Sequence, residues 1–280
     1  MSRGFLIVAQ TEKERRQATA LAYSIKINNS DADISLVVGE LSEVEESYEE
    51  PFDNIIELPF NSKIFSRSND WQLWWVTPYE NNIVIDSACI LNTNIDSIWE
   101  YLDENYDICF PSKILDFRGD EAVNDKRYVE YTKYKLPELF TAWFYFKKNE
   151  TSMDYFKLAD PYMQNHIDVY NSKFDPQHVP NYFDTNLIHR ILIKDSINDF
   201  CTDSILRYTD MDAVTTYYDR KSPKWTDYLN VWSRDSGFVK IQNYANIGLL
   251  YYKEDDFLTD DIFDAQRNSY RLKTKVLREV

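Results

Sequence analysis

The sequence predicts an α/β fold, a sheet with helices on its faces. Three observations carry this. Residues 5–9 and 83–85 are short apolar runs, and 34–38 is one broken only by Ser35, as strands buried on both faces require. Between the first two runs, Ala18, Leu21, Ala22 and Ile25 recur at helical spacing. The resulting strand–helix–strand–strand order, with short connections, favours strands that share one sheet.

Each element has a local signal. Gln10-Thr11-Glu12 supplies polar and acidic residues at a helix start, and Asn28-Asn29-Ser30-Asp31 ends that helix. Gly39 closes the second strand, and the acidic stretch 43–50 predicts a solvated loop. Ile55-Ile56-Glu57-Leu58 reads as a third strand before Pro59. Residues 95–105 read as a helix capped near Asn94 or Asp96, and 106–110 as a strand stopped by Pro111. The polar stretch 116–135 predicts a long loop. Residues 139–147 read as an aromatic strand, 152–165 as a helix interrupted by Pro161, and 184–193 as a helix starting at Asp184 or Thr185. Residues 225–232 read as helical, and 238–241 and 247–252 as strands. There is no internal repeat and no Ser/Gly-rich linker, so one continuous domain over 1–280 with a C-terminal extension is the simplest organisation.

Composition excludes several functions. The 280 residues include 31 basic and 47 acidic side chains, and the net charge of −16 repels polyanions. Extended nucleic-acid binding is therefore disfavoured. The basic stretch 267–278 is the one clear local exception. Three unpaired-looking cysteines, Cys89, Cys109 and Cys201, argue against a disulfide framework or a zinc site. His166, His178 and His189 are scattered, with no i, i+4 pair. With 5 glycines there is no dinucleotide fingerprint or phosphate loop, and no Gly-x-Ser-x-Gly elbow. No apolar run reaches membrane-spanning length, and the N-terminal run reads as a strand rather than a leader. These points predict a soluble protein of a reducing compartment, placed in the cytoplasm, with no membrane partner. A homo-oligomer is left open.

The most informative stretch is Thr77-Pro78-Tyr79-Glu80, then Ile83-Val84-Ile85-Asp86-Ser87-Ala88. A turn leads into a β-forming run that ends on a carboxylate. Ligands of α/β sheets bind at the carboxyl ends of strands, so Asp86 is a candidate for a metal or a sugar-phosphate. Its bland alternative is a loop hydrogen bond. Trp71, Trp74 and Trp75 fit either a helix face on the core or a stacking surface for a base or sugar.

The order of these segments resembles the nucleotide-sugar glycosyltransferases of GT-A fold, particularly virus-encoded, family-eight-like ones. Gly4-Phe5-Leu6-Ile7-Val8-Ala9-Gln10 is similar to their first strand and the turn that faces the nucleotide. Ala22-Tyr23-Ser24-Ile25-Lys26 resembles the following helix, and Asn54-Ile55-Ile56-Glu57-Leu58-Pro59 the third strand. Residues 77–86 resemble the lead-in to an Asp-x-Asp strand, 139–148 the acceptor-side strand, and Asp184-Thr185-Asn186 an Asp-containing helix start. Residues 225–232 and 248–257 resemble the C-terminal segments. The likeness covers most of the chain, and the order of the motifs carries it.

The resemblance implies a mixed, mostly parallel sheet flanked by helices. It places 1–110 as a nucleotide-sugar half, 111–250 as an acceptor-side half and 251–280 as the extension. It implies transfer of a sugar from a nucleotide-sugar donor to an acceptor that stays open, a modified base in viral DNA among the candidates. Ala9, Gln10, Arg67, Asp86, Ser87, Ala88, Thr141 and Trp143 are the implied substrate-binding residues, and Asp184 and Asn186 the implied catalytic ones. The ion would be Mn²⁺ or Mg²⁺, held by Asp86. The second carboxylate of the motif is absent, because Ala88 stands there, and the C-terminal region lacks the family's His. Lys63, Arg67, Arg118 and Lys253 are the candidate cationic substitutes. A catalytically silent relative that binds a sugar or a partner is the alternative.

Overall fold

The structure is a computed structural model. It describes residues 2–41, 44–61, 66–122, 133–175, 179–196, 201–203, 205–211, 213, 230–233, 237–252 and 257–278. The first part runs β1 (Arg3–Val8), α1 (Glu12–Asn28), β2 (Asp33–Val38), α2 (Glu46–Glu49) and β3 (Asn54–Glu57). A 3₁₀ helix (Ser66–Gln72) and α3 (Leu73–Val76) then lead to β4 (Asn81–Asp86), β5 (Cys89–Leu91), α4 (Asp96–Asn105) and β6 (Ile108–Pro111). Next come β7 (Trp143–Lys147), α5 (Glu150–Gln164), α6 (His166–Lys173), α7 (Thr185–Ser196), β8 (Cys201–Asp203) and β9 (Tyr208–Asp210). The chain closes with β10 (Val231–Ser233), β11 (Val239–Ile241), β12 (Tyr244–Ala245), β13 (Leu249–Tyr251) and α8 (Asp260–Arg278).

The main sheet has the order β3-β2-β1-β4-β7-β6-β8. Strands β3, β2, β1 and β4 pair in parallel, and β6 pairs in parallel with β8. Strand β7 runs against both of its neighbours. Phe5, Leu6, Ile7 and Val8 are all buried, so helices cover both faces of β1 and the strand needs no polar side. Because β7 is reversed, its first residues lie at the carboxyl end of β4: Ile85 pairs with Trp143, and the Asp86 N–H donates to the Ala142 carbonyl at 2.9 Å.

A second sheet, β5-β13-β9, sits at that same end. The Tyr252 N–H donates to the Ala88 carbonyl at 3.0 Å, which ties the two sheets together just beyond Asp86. Helix α1 starts on a capping box. Thr11 Oγ1 accepts from the Glu14 N–H, and the Glu14 carboxylate accepts from the Thr11 N–H at 3.0 Å. Helix α8 packs against α1 through Tyr23, whose ring lies 5.1 Å from Tyr270. Arg271 bonds Glu50 at 2.8 Å and Arg267 bonds Asp264 at 2.7 Å, so these two charges of the basic stretch are paired within the chain.

Several expectations are corrected. The acidic stretch 43–50 contains α2, and β5 is a strand that its three residues did not announce. Helix α5 continues through Pro161, which lies in its last turn; the Asn165 N–H and Nδ2 both donate to the Pro161 carbonyl, at 3.1 and 3.0 Å. The aromatic strand begins at Trp143 rather than Leu139, because Phe140 bonds Pro111 and Thr141 bonds a helix side chain. Val231–Ser233 is a strand paired with β11, where a helix was expected; residues 214–229 lie outside the described residues.

Candidate functional site

Asp86 is the last residue of β4 and stands level with Val8 of β1. Its side chain is about a quarter exposed (24%). Both carboxylate oxygens are engaged. Oδ1 accepts from the Ala88 N–H at 3.0 Å, the local Asx turn that Asp favours where a strand ends. Oδ2 accepts from Arg67 Nη1 at 3.1 Å.

Arg67 comes from the 3₁₀ helix. That helix has three residues per turn, so positions i and i+3 eclipse. Arg67 therefore lies over Asp70, and its Nε donates to Asp70 Oδ2 at 2.6 Å. Both residues are buried, at 8% and 0% exposure. Burial works against the Arg67 charge, but Asp70 and Asp86 outweigh it and push its pKa above the usual arginine value. Burial pushes the Asp70 carboxyl up to about 6, against the pull of Arg67 and with Asp86 and Glu14 adding. Arg67 Nη2 and Asp70 Oδ1 have no hydrogen-bond partner among the described residues.

The same guanidinium reaches the segment just before β7. Arg67 Nη1 lies 3.5 Å from the Thr141 carbonyl. The Thr141 N–H and hydroxyl both donate to Asn186 Oδ1, at 2.9 and 3.1 Å. Asp86, Arg67, Thr141 and Asn186 are thus joined in one run, although they come from four separate parts of the chain. Asp70 also belongs to this group, and the sequence reading missed it. The signal was present as an Arg/Asp pair at i, i+3, but it is informative only once the segment is known to be 3₁₀.

The other predicted residues sit differently. The Asp184 carboxylate caps α7, accepting from the Leu187 N–H at 3.0 Å. It lines a separate hollow of about 290 Å³ together with Tyr134, Phe174 and Tyr182. Trp143 packs wholly inside the core, because β7 is covered on both faces. Ala9 and Ser87 are buried beside the strand ends, and Ala9 N–H donates to the Val37 carbonyl. Gln10 is half-buried; its N–H donates to Glu14 and its carbonyl accepts from Arg15. Arg118 donates to Asp116 at 3.0 Å, and its Nε lies 3.7 Å from Asp120. Lys63 and Lys253 lie outside the described residues.

These placements bear on a divalent ion. Mg²⁺ and Mn²⁺ require several hard oxygen ligands. Asp86 offers one carboxylate whose oxygens are already shared between a turn amide and a guanidinium, and Ala88 offers none. Among the described residues no group of three His, Cys, Asp or Glu side chains could hold a metal. The donor set of the described residues therefore does not fit a divalent ion. The N-terminus of α1, a natural anion site at the end of β1, is filled by Glu14. Arg67 is the buried cation that bonds Asp86 in the described site.

Near Arg67, His189 is buried against Phe110 and Phe144, and its Nδ1 contacts the Tyr155 hydroxyl. Burial pushes its pKa down to about 3, with Arg67 and Arg190 adding. Burial also raises the Cys89 thiol well above its ordinary value, which leaves it an inert packing group.

No protein-family model matches the sequence, and no curated protein matches it. Among solved structures, the galactosyltransferase LgtC, in complex with donor and acceptor sugar analogues, aligns over 95% of each chain with a TM-score of 0.50 and 10% identity. The fold is that of the GT-A glycosyltransferases. The likeness to LgtC, at this identity, shows the architecture. The glycosyltransferase GlyE of Streptococcus pneumoniae overlaps 72% of this chain at 10% identity and a TM-score of 0.48, and this chain spans 45% of GlyE. Core-mannan synthase A of Aspergillus fumigatus, in its Mn/GDP form, overlaps 69% of each chain at 10% identity and a TM-score of 0.41. The last two overlaps are too loose to carry an argument about this chain.

Proposed function

We propose that this chain transfers a sugar from a nucleotide-sugar donor to an acceptor. One observation carries the reading. Asp86, Arg67, Thr141 and Asn186 converge at the carboxyl end of β4, where α/β sheets bind ligands, within a GT-A fold. Residues 1–110 supply the donor half, 111–250 the acceptor side, and 251–280 an extension against α1. The motif Asp86-Ser87-Ala88 is a shortened form of Asp-x-Asp.

The roles follow from chemistry. Sugar transfer passes through a transition state of oxocarbenium character while negative charge builds on the departing diphosphate. Arg67, whose Nε and Nη1 are held by Asp70, Asp86 and the Thr141 carbonyl, acts on that diphosphate as a buried charge fixed before the donor arrives. Asp86 holds Arg67 in place and faces the ribose or phosphate. Thr141 and Asn186 lock the start of β7 against α7, which fixes the wall on which the acceptor hydroxyl must be oriented. No step is assigned to a metal.

The test is release of free nucleotide from a panel of UDP-, GDP- and dTDP-sugars by the purified chain. Slow donor hydrolysis is expected with one of them, with Arg67→Lys lowering it roughly 100-fold by losing the fork geometry. A second reading is favoured by Ala88 and by the engaged oxygens of Asp86, namely a silent relative that binds a sugar or partner. A donor that raises the melting temperature yet is never cleaved selects that reading. If no nucleotide-sugar is cleaved or stabilises the chain, the transfer reading falls.

A further inference from the structure

A groove of about 680 Å³ lies beyond the end of β3, between the 3₁₀ helix and the last turns of α5. Phe60, Asn61, Asn69, Trp71, Asp160 and Gln164 line it. Phe60 is an exposed aromatic, at 67%, and its ring stacks on Trp71 with centroids 6.1 Å apart and planes 22° apart. Trp75, 44% exposed, meets Trp71 edge-on at 6.1 Å, and Trp74 meets Trp75 in the same way at 5.6 Å.

The platform is rigid. The buried Gln72 clamps Phe60 from both sides: its Oε1 accepts from the Phe60 N–H at 2.9 Å and its Nε2 donates to the Phe60 carbonyl. An exposed ring held by both backbone groups loses little freedom on contacting a ligand. Asn61 packs closely on Gly39. Its amide occupies the space a Cβ would take on Gly39, 2.2 Å from the ideal position of that atom.

Two lining residues carry a buried polar atom without a hydrogen-bond partner among the described residues. One is an acceptor, Asn61 Oδ1, and the other a donor, the Trp71 indole N–H. A ligand cation offers only donors and a phosphate mainly acceptors, whereas a hydroxyl offers both. The described lining has no Lys or Arg, and the net charge of −16 disfavours an anionic occupant. Amides and one carboxylate around an aromatic face suit a neutral polyhydroxylated ring.

We propose that this groove binds a neutral carbohydrate, with one pyranose ring against Phe60 and its hydroxyls toward Asn61, Trp71 and the α5 side chains. The geometry keeps it apart from Asp86. Asn69 and Trp71 leave the 3₁₀ helix on different faces from Arg67 and Asp70. The inference rests on the chemistry of the groove and stands whether or not the chain transfers sugar.

The test titrates the full chain with maltohexaose, cellohexaose, chitohexaose and a mannan oligosaccharide, read by tryptophan fluorescence and saturation-transfer NMR. At least one is expected to bind with a Kd below about 1 mM, and Phe60→Ala to weaken it roughly tenfold. Phe60 is exposed, so an unchanged melting temperature shows that the variant is folded. The proposal is overturned if none binds at about 10 mM, or if Phe60→Ala leaves binding intact. It is equally overturned if UDP competes, which would place the sugar in the Asp86 site, or if sedimentation shows a Phe60-dependent dimer covering the groove.

Discussion

Arg67 Nε lies 2.6 Å from Asp70 Oδ2, with both side chains buried beneath the strand end that carries Asp86. The pair forms because a 3₁₀ helix aligns residues three apart. It places one cation between two carboxylates in a region of low dielectric. Removing only the cation strands Asp70. Arg67→Met is therefore expected to cost ~3–5 kcal/mol in urea unfolding, the usual range for breaking one side of a buried pair. A loss under ~1 kcal/mol would mean that solvent reaches Asp70.

Two buried groups set opposite pH slopes. The Asp70 pKa is raised from 3.8 to about 6, so its contribution is full below 3.8 and is lost as pH rises through about 6. The His189 pKa is lowered from 6.5 to about 3, so its contribution is full above 6.5 and is lost as pH falls toward 3. Between about pH 4 and 6 the two oppose each other. Asp70→Asn should leave a stability curve that falls on acidification. His189→Gln should leave one that rises. Denaturant midpoints at pH 4, 5, 6 and 7 read both, and parallel curves for the two variants would contradict the assignment.

Nucleoside diphosphate binding is expected to survive EDTA. The described donor set does not fit a divalent ion, and Arg67 is its cation. The melting-temperature rise caused by UDP or GDP should be the same with EDTA as with Mn²⁺. A rise that appears only with Mn²⁺ would show that an ion binds there after all.

Asn186 holds Thr141 through a single oxygen that accepts two hydrogen bonds. Asn186→Ala leaves the Thr141 N–H buried without a partner and should cost ~1–3 kcal/mol. Asn186→Asp keeps the acceptor and should restore most of that stability. If alanine and aspartate behave alike, the link between α7 and β7 is not what positions Thr141.

Gly248 leads into β13 with φ at 111°, and an added Cβ would lie 2.4 Å from the Arg207 carbonyl oxygen. Backbone cannot yield as a side-chain tip can. Gly248→Ala should lower stability by ~1–3 kcal/mol, measurable as a fall in melting temperature.

The parallel strands were legible because burial on both faces leaves an uninterrupted apolar run, as at Phe5-Leu6-Ile7-Val8. The start of α1 was legible because Gln10-Thr11-Glu12 is a polar, acidic run, whereas the Thr11–Glu14 capping box emerged only in the structure. Asp86 at the end of β4 was legible from strand, carboxylate and small residues in succession. Strand β5 and the strand at 231–233 were not, since three residues carry too little periodicity to separate strand from helix. Pro161 pointed to a break because its missing N–H argues locally, while the position in a last turn depends on where the helix ends.

The amino-acid order alone determined the alternation of strands and helices, the placement of Asp86 and the acidic surface. Those depend on patterns over a few neighbouring residues. Only the tertiary structure decided that Arg67, Thr141 and Asn186 meet at Asp86, that Asp184 caps a helix beside a different hollow, and that Phe60 stands open over Trp71. Each of these rests on strand order, the reversal of β7 and the pitch of a short helix. Contacts between residues tens of positions apart are set by how elements pack, and no local pattern encodes them.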